Sequence, residues 1–441
     1  MRANRVGYGR LTACVAIAAA LTTGVAACSS SSNNKSSNSG GSSSTSSGTS
    51  AANFSKPSGS VRGFDGSTIT IAGLGITAQF PGVDPGIKAR VKRFNDTNEI
   101  PGVKLNYTEY ANSGQDPATA LSEARRLVSS EKAFAIVGDT SQNNPGAYFK
   151  QQQVPYFGWA FDNTYCSNSD SPSTDVWGFG WNGCLIPDNP KVMPDAGAQL
   201  YTYVKQQTGK DHPTLAMFSN STQSGKNSVS SQAVAYQGAG FNVVMKSGLL
   251  PLPPISDYTP YVQQVLTADN GKAPDAVVCL LSVDCISMWS LMKAQGYKGT
   301  FQSPLYSDLL LKPMQGSVAS IQFVALNIPG AAINQITSDV KAVAPKQAID
   351  TGVLTGYWTT DEFIQALKTV NKAGKDYISP ANVQKAAAVQ TWQMQGLVGP
   401  VQYPAATLKS TPACTSIVSD TGTEWKTVVP YKCSSKGWPV S

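Results

Sequence analysis

Residues 133–142 read Ala-Phe-Ala-Ile-Val-Gly-Asp-Thr-Ser-Gln. The uncharged run from Ala133 to Gly138 gives way at once to Asp139, Thr140, Ser141 and Gln142. A short unbroken apolar run ended by polar turn formers describes a strand buried on both faces, the kind that parallel sheets use. Toward the N-terminus, 67–72 (STITIA) predicts a first strand, and Asp84-Pro85 opens a helix with Ile87, Val91 and Phe94 on one face. Residues 103–110 form a second strand, alternating Val103, Leu105 and Tyr107, and Asp116-Pro117 opens a helix whose inner face is Leu121, Ala124 and Val128. Toward the C-terminus, 154–159 is a fourth strand. Strands that alternate with helices in this way predict an α/β lobe, a doubly wound parallel sheet.

The pattern pauses in the proline-rich 187–194 and then begins again. Strands are expected at 214–219, 241–245, 275–281 and 300–304, with helices at 198–207, 227–236, 258–268 and 286–295. This predicts a second doubly wound lobe. A further strand at 321–326 ends at Pro329-Gly330, and helices follow near 333–343, 353–370 and 380–394 before closing β-hairpins. From residue 61 onward the chain is too long for one core and suits two domains.

The N-terminus gives the compartment. Arg2, Arg5 and Arg10 precede an apolar stretch, 11–27, that stops at Val25-Ala26-Ala27-Cys28, so residues 1–27 read as an export signal. Residues 28–60 follow as a tether rich in Ser, Asn and Gly, with too little apolar surface to fold. Losing the three arginines and no acid lowers the formal charge of +7 by three. So mild an excess over so long a chain argues against a nucleic-acid partner. Six cysteines remain beyond Cys28. An even number in an exported chain implies disulfides, although six allow 15 pairings. They fall into close sequence neighbours, and the expected bridges are Cys166–Cys184, Cys279–Cys285 and Cys414–Cys433.

In open parallel sheets ligands sit beyond the carboxyl ends of the strands. Those ends offer 73–77, 138–142 and 159–163 in the first lobe, and 220–225, 282–284 and 305–308 in the second. Hydroxyls, amides, carboxyls and large aromatics gather there, as an orienting pocket requires. The candidate ligand-binding residues are Thr140, Ser141, Gln142, Trp159, Ala160, Phe161, Asp162, Ser224, Ser282, Tyr306 and Asp308.

The Ala-Ala-Cys28 site, AFAIVGDTSQNN at 133–144, QQQVPYFGWA at 151–160, SNSTQSGKN at 219–227 and GLVGPVQY at 396–403 together resemble the type I periplasmic-binding family, in its leucine/isoleucine/valine-binding branch. The resemblance runs from Ser67 to Cys433. It implies a lipobox acylated at Cys28, two lobes joined by three crossing strands, and hinge closure on a small molecule delivered to an ABC permease. The crossings are expected near 187–194, Pro329 and 403–410. The implied lobes are 61–190 with 330–405, and 191–329 with 406–441. In this family the loop after the third strand donates to a ligand carboxylate, and its match is Thr140-Ser141-Gln142; residues after the fourth strand match Ala160 and Asp162. Two departures stand out. Ser224 precedes Gly225 where the family has an aromatic, and Pro304-Leu305-Tyr306 offers no counterpart to the glutamate that meets an amino acid's ammonium, the next acid being Asp308. The expected ligand therefore has an apolar or aromatic body and a carboxylate or amide head, with branched-chain amino acids as the alternative.

Enzyme readings find little support. Gly73-Leu-Gly-Ile-Thr-Ala78 mimics a dinucleotide fingerprint, but Pro81 and Pro85 keep a helix from starting at the glycines. Ser129-Ser-Glu-Lys132 fits S-x-x-K without its companion motifs and reads as a helix end. The single histidine, His212, lies in a polar loop. The expectation is a receptor without cofactor, metal or catalysis, set against a secreted lipoprotein enzyme on a similar fold.

Overall fold

The computed structural model describes residues 53–441, except 115, 142–144, 161–162, 168–172, 185–190, 253, 282, 405–412, 435 and 440–441, together with the side chains of 223 and 224. The expected export signal, most of the expected tether and Cys28 therefore lie outside the described residues.

The first sheet contains β1 (Thr68–Gly75), β2 (Lys104–Asn112), β3 (Ala135–Thr140), β4 (Tyr156–Gly158) and β5 (Gly178–Gly180), all parallel, in the order β2-β1-β3-β4-β5. The order reverses between β1 and β3, which opens a crevice at their carboxyl ends. Helices α1 (Val83–Asp96), α2 (Pro117–Ser129) and α3 (Gly146–Gln151) wrap this sheet. As expected, Ile87, Val91 and Phe94 face inward on α1. On α2 the buried face is Ala120, Ala124, Leu127 and Val128; Leu121 sits at its margin, one residue out of the expected register.

After a short strand β6 (Val192–Pro194), the second sheet takes β7 (Thr214–Asn220), β8 (Asn242–Leu250), β9 (Ala276–Cys279), β10 (Thr300–Ser303) and β11 (Val318–Ile321). Helices α4 (Ala198–Thr208), α5 (Gln223–Ala239), α6 (Thr259–Leu266) and α7 (Val283–Ala294) alternate with them. The chain then supplies α8 (Ala331–Lys341), α9 (Thr351–Asn371), α10 (Pro380–Ala387), the ribbon β12 (Thr391–Met394) with β13 (Val398–Gln402), and the hairpin β14 (Ala413–Asp420) with β15 (Trp425–Ser434). The hairpin joins the second sheet antiparallel to β11, completing β15-β14-β11-β10-β9-β7-β8. The last strand, β16 (Gly437–Pro439), pairs with β6. The chain thus passes between the sheets three times: after β5, after β11 to helices that pack on β3 and β4, and after β13.

Two expected elements are corrected. The strand placed at 321–326 lies earlier, at Val318–Ile321; past it the chain leaves the sheet, and Phe323 bridges to Val398 of the ribbon. Both halves of that apolar stretch suit a strand, and pairing with β10 and β14 selects the first. The helix expected at 380–394 ends at Ala387, and Thr391–Met394 is a strand in which Trp392 is buried between exposed neighbours, a period of two.

Helix α9 deserves its length because of α1. Gly86 and Gly356 bring the two backbones into contact: a Cβ at Gly86 would stand 2.2 Å from Val353 O, and one at Gly356 2.1 Å from Val83 O. Side chains at either place would push α9 off the sheet. Between the two sheets a further core gathers Trp181, Tyr306, Phe323, Trp358, Trp392 and Trp425.

Candidate ligand cleft at the strand ends

Thr140 ends β3 opposite Gly75 of β1, at the point where the strand order reverses. Its Oγ1 lies 2.6 Å from the Tyr110 hydroxyl of β2, in a hydrogen bond that passes over Gly75. A Cβ on Gly75 would meet both oxygens at 2.1 Å, so only glycine fits beneath this bond. Burial raises the Tyr110 phenol well above its ordinary range, so it stays protonated. Asp139 is buried behind the loop; its Oδ1 accepts from Ser141 N at 2.9 Å and its Oδ2 from the Tyr165 hydroxyl at 2.8 Å. Gly138, at φ 65°, donates its N–H to Thr359 Oγ1 of α9 at 2.9 Å. The loop is therefore held from three directions, and Ser141 emerges from it with a buried hydroxyl that has no partner among the described residues. Gln142 lies outside the described residues.

At the end of β4, Trp159 donates its N–H to Asp139 O at 2.8 Å and packs its half-buried ring against Phe80 and Trp181, with centroids 5.8 and 5.5 Å away. Trp181 continues to Trp358 and Phe323, Phe323 to Tyr306, and Tyr306 to Trp425. One chain of rings thus runs from the first sheet's edge to the second. Ala160, which the family resemblance places among the ligand contacts, gives its N–H to Asn182 Oδ1 at 3.2 Å, and Asn182 Nδ2 reaches Gln322 Oε1 at 3.1 Å. Phe161 and Asp162 lie outside the described residues.

In the second lobe, Ser224 falls in the first turn of α5, which is capped by Thr222 accepting from Gly225 N at 3.0 Å. Cys279 and Cys285 are bridged around the β9–α7 turn; Ser282 within it lies outside the described residues, and Asp284 accepts from the Tyr258 hydroxyl at 2.6 Å. The pairs Cys166–Cys184 and Cys414–Cys433 are bridged as well. Tyr306 is buried, with its hydroxyl accepting from Leu326 N at 3.1 Å, and burial pushes its phenol up to about 12. With both its ring and its hydroxyl engaged, it belongs to the wall behind the cleft rather than to a free stacking face. Asp308 is exposed at the start of a single 3-10 turn beyond β10.

The structure thus brings Thr140, Ser141, Trp159 and Ala160 together on one edge. Sequence reasoning did not single out Asp139, Phe80, Trp181 or Asn182. Asp139 stood in the right loop, and its aim inward is a matter of tertiary contact. His212 is exposed, and among the described residues no group of His, Cys, Asp and Glu could hold a metal ion, nor is any helix long and apolar enough to cross a membrane.

The family model described as "Periplasmic binding protein" matches residues 67–418. No curated protein sequence matches the chain. Among solved structures, the chain is similar to a fatty acid ABC transporter substrate-binding protein from Thermomonospora curvata, at 16% identity and TM-score 0.65, over 85% of this chain and 94% of that one. A solute-binding protein of an ABC transporter from R. palustris, in complex with benzoate, matches at 12% identity and TM-score 0.63, over 83% and 98%. A branched chain amino acid ABC transporter protein from Thermus thermophilus, with bound valine, matches at 14% identity and TM-score 0.62, over 83% and 96%. The sheet order, the three passages between the sheets and the span of the family match lead to one conclusion: the chain belongs to the periplasmic binding protein family and has the type I fold seen in its leucine/isoleucine/valine-binding branch.

Proposed function

We propose that this chain is the extracytoplasmic solute-binding lipoprotein of an ABC-type importer. It is held to the outer face of the cell membrane by lipid on Cys28 and hands its cargo to a membrane permease. Its lobes, 61–190 with 330–405 and 191–329 with 406–441, close on a small organic molecule and perform no chemistry on it. The ligand has an apolar or aromatic body and a carboxylate or amide head. The observation that carries this reading is Ser141: a buried hydroxyl without a partner among the described residues, on a loop fixed by Asp139, Tyr110 and Thr359 and near the Phe80–Trp159 aromatic pair. A donor fixed before the ligand arrives loses little entropy on binding, and rings at the strand ends supply apolar contact at about 25 cal/mol per Å². The benzoate and fatty acid named for two of the similar structures have this make-up, an apolar body with an acid head.

Among the described candidate acids a cationic amine has few partners, since Asp139 and Asp284 are both engaged and Asp308 alone stands exposed; Asp162 lies outside the described residues. Calorimetry with benzoate, octanoate, benzamide and leucine tests this. One of the first three is expected to bind, with affinity lost in Ser141→Ala and reduced in Trp159→Ala. Tight leucine binding that survives Trp159→Ala and disappears in Asp308→Ala would select the amino-acid reading instead. For the anchor, Cys28→Ala is expected to free the protein from the membrane fraction, and unchanged retention and mass would refute lipidation.

A further inference from the structure

Thr351, Thr355 and Thr359 recur every fourth residue of α9 and so share one face of it. Both ends of this stripe are tied down. Thr351 Oγ1 donates to Tyr306 O at 3.1 Å, and Thr359 Oγ1 accepts from Gly138 N at 2.9 Å. Thr359 and Thr360 also return their hydroxyl hydrogens to carbonyls four residues back, each at 2.7 Å. Thr355 makes no such bond. Its hydroxyl is fully buried and finds no partner among the described residues.

Two other donors close by share this condition. Trp358 lies three residues along the same helix, and the Trp181 ring is 4.8 Å from it. Both are fully buried, and neither indole N–H meets an acceptor among the described residues. An indole N–H can only donate. A buried donor left unmet is costly, and folded proteins seldom leave such groups without a receiver. Trp181 also touches Trp159, the half-buried ring at the edge of the candidate cleft, so the Trp181 ring stands directly behind it and Trp358 behind Trp181.

We propose that Thr355, Trp181 and Trp358 form a second recognition point of the cleft. It takes an oxygen acceptor at the far end of the ligand body, separate from the head at Ser141. This rests on the receptor reading given above. Two of its three groups are donors only, so it selects a phenol, carbonyl or carboxylate oxygen over an amine. Trp159 is the ring that gives way to admit it.

The test uses the full exported chain with 15N-labelled tryptophan, and two matched pairs of acids as probes: benzoate with 4-hydroxybenzoate, and phenylacetate with 4-hydroxyphenylacetate. The indole resonances are assigned through Trp181→Phe and Trp358→Phe. In at least one pair the hydroxylated acid is expected to bind about tenfold more tightly, as a site with unmet hydrogen-bonding groups requires. It should also shift both indole resonances, and its advantage should vanish in Thr355→Val and in Trp181→Phe. Equal binding within both pairs, or indole resonances that no acid moves, would overturn the proposal and leave the donors to internal water. If acids stabilise the fold in thermal unfolding while the pairs behave alike, only the second recognition point falls. If none of the four stabilises it, and octanoate and benzamide fail as well, the receptor reading with a carboxylate or amide head falls too.

Discussion

Arg90→Met is expected to be the most damaging single change outside the cleft, costing on the order of 3–5 kcal/mol of unfolding free energy. Arg90, on α1, leaves only 5% of its side chain exposed and reaches across to α9, with Nη1 and Nη2 on the two oxygens of Glu99 at 2.6 and 3.0 Å and Nε on Asp361 of α9 at 2.7 Å. Asp361 also accepts from Trp392 Nε1 at 3.2 Å, and Lys368 pairs with Glu99, so the cluster ties α1, α9 and the β12–β13 ribbon together. Burial by itself would lower the Arg90 pKa, but Asp361 and Glu99 outweigh it and raise it, so the guanidinium stays charged. Removing it leaves two carboxyls with an incomplete set of partners in a confined space, and that loss exceeds any gain from the apolar replacement. Arg90→Lys keeps the charge but loses the two-pronged grip on Glu99, and an intermediate loss is expected. Urea unfolding measures both, and a loss below about 1 kcal/mol for Arg90→Met would show that the cluster contributes little.

Glu362→Gln is expected to stabilise the protein at alkaline pH and to change little in acid. Glu362 lies on α9 with no solvent exposure, and neither carboxyl oxygen finds a partner among the described residues. Tyr403 stands beside it but gives its hydroxyl hydrogen to Gly180 O at 2.6 Å. Burial, with Asp361 adding to it, pushes the Glu362 carboxyl up from 4.5 to about 8. Between those two values the folded protein holds a proton that the unfolded chain releases, so the unfolded state binds fewer protons and stability falls as pH rises. The stabilising protonation is complete below the unfolded value and lost as pH passes the folded one. At pH 8 the substitution should therefore gain on the order of 4 kcal/mol. Thermal unfolding of both proteins from pH 4 to 8 should give curves that meet near pH 4 and separate progressively from about pH 5 upward. Parallel curves would mean that Glu362 is solvated or paired in solution.

Much of this architecture is legible in local patterns. The buried run at Ala133–Gly138, the face of Ile87, Val91 and Phe94, and the proline-marked helix starts at Pro85 and Pro117 each state their element within a few residues. Elements chosen by tertiary pairing are harder to read. β5 is only Gly-Phe-Gly and forms because β4 lies beside it, and the 318–326 stretch is divided by its neighbours rather than by its composition. The site divides in the same way. Thr140 and Ser141 follow from their place after a strand, whereas Trp181 meets Trp358 only because α9 returns to pack on the first sheet. Tyr306 has the residue type of a stacking group, but its neighbours Phe323 and Trp425 claim its ring.

The central claim, a two-lobed receptor that closes on a ligand with a carboxylate or amide head, is tested most directly by small-angle X-ray scattering of the chain from residue 53 onward, empty and saturated with the tightest binder among benzoate, octanoate and benzamide. Contacts from both lobes are complete only when the lobes meet, so ligand must favour the closed state. The account predicts that the radius of gyration falls on saturation and that Ser141→Ala abolishes the fall at the same ligand concentration. A scattering profile unchanged by a ligand verified to bind, or the absence of binding by all three, would contradict it.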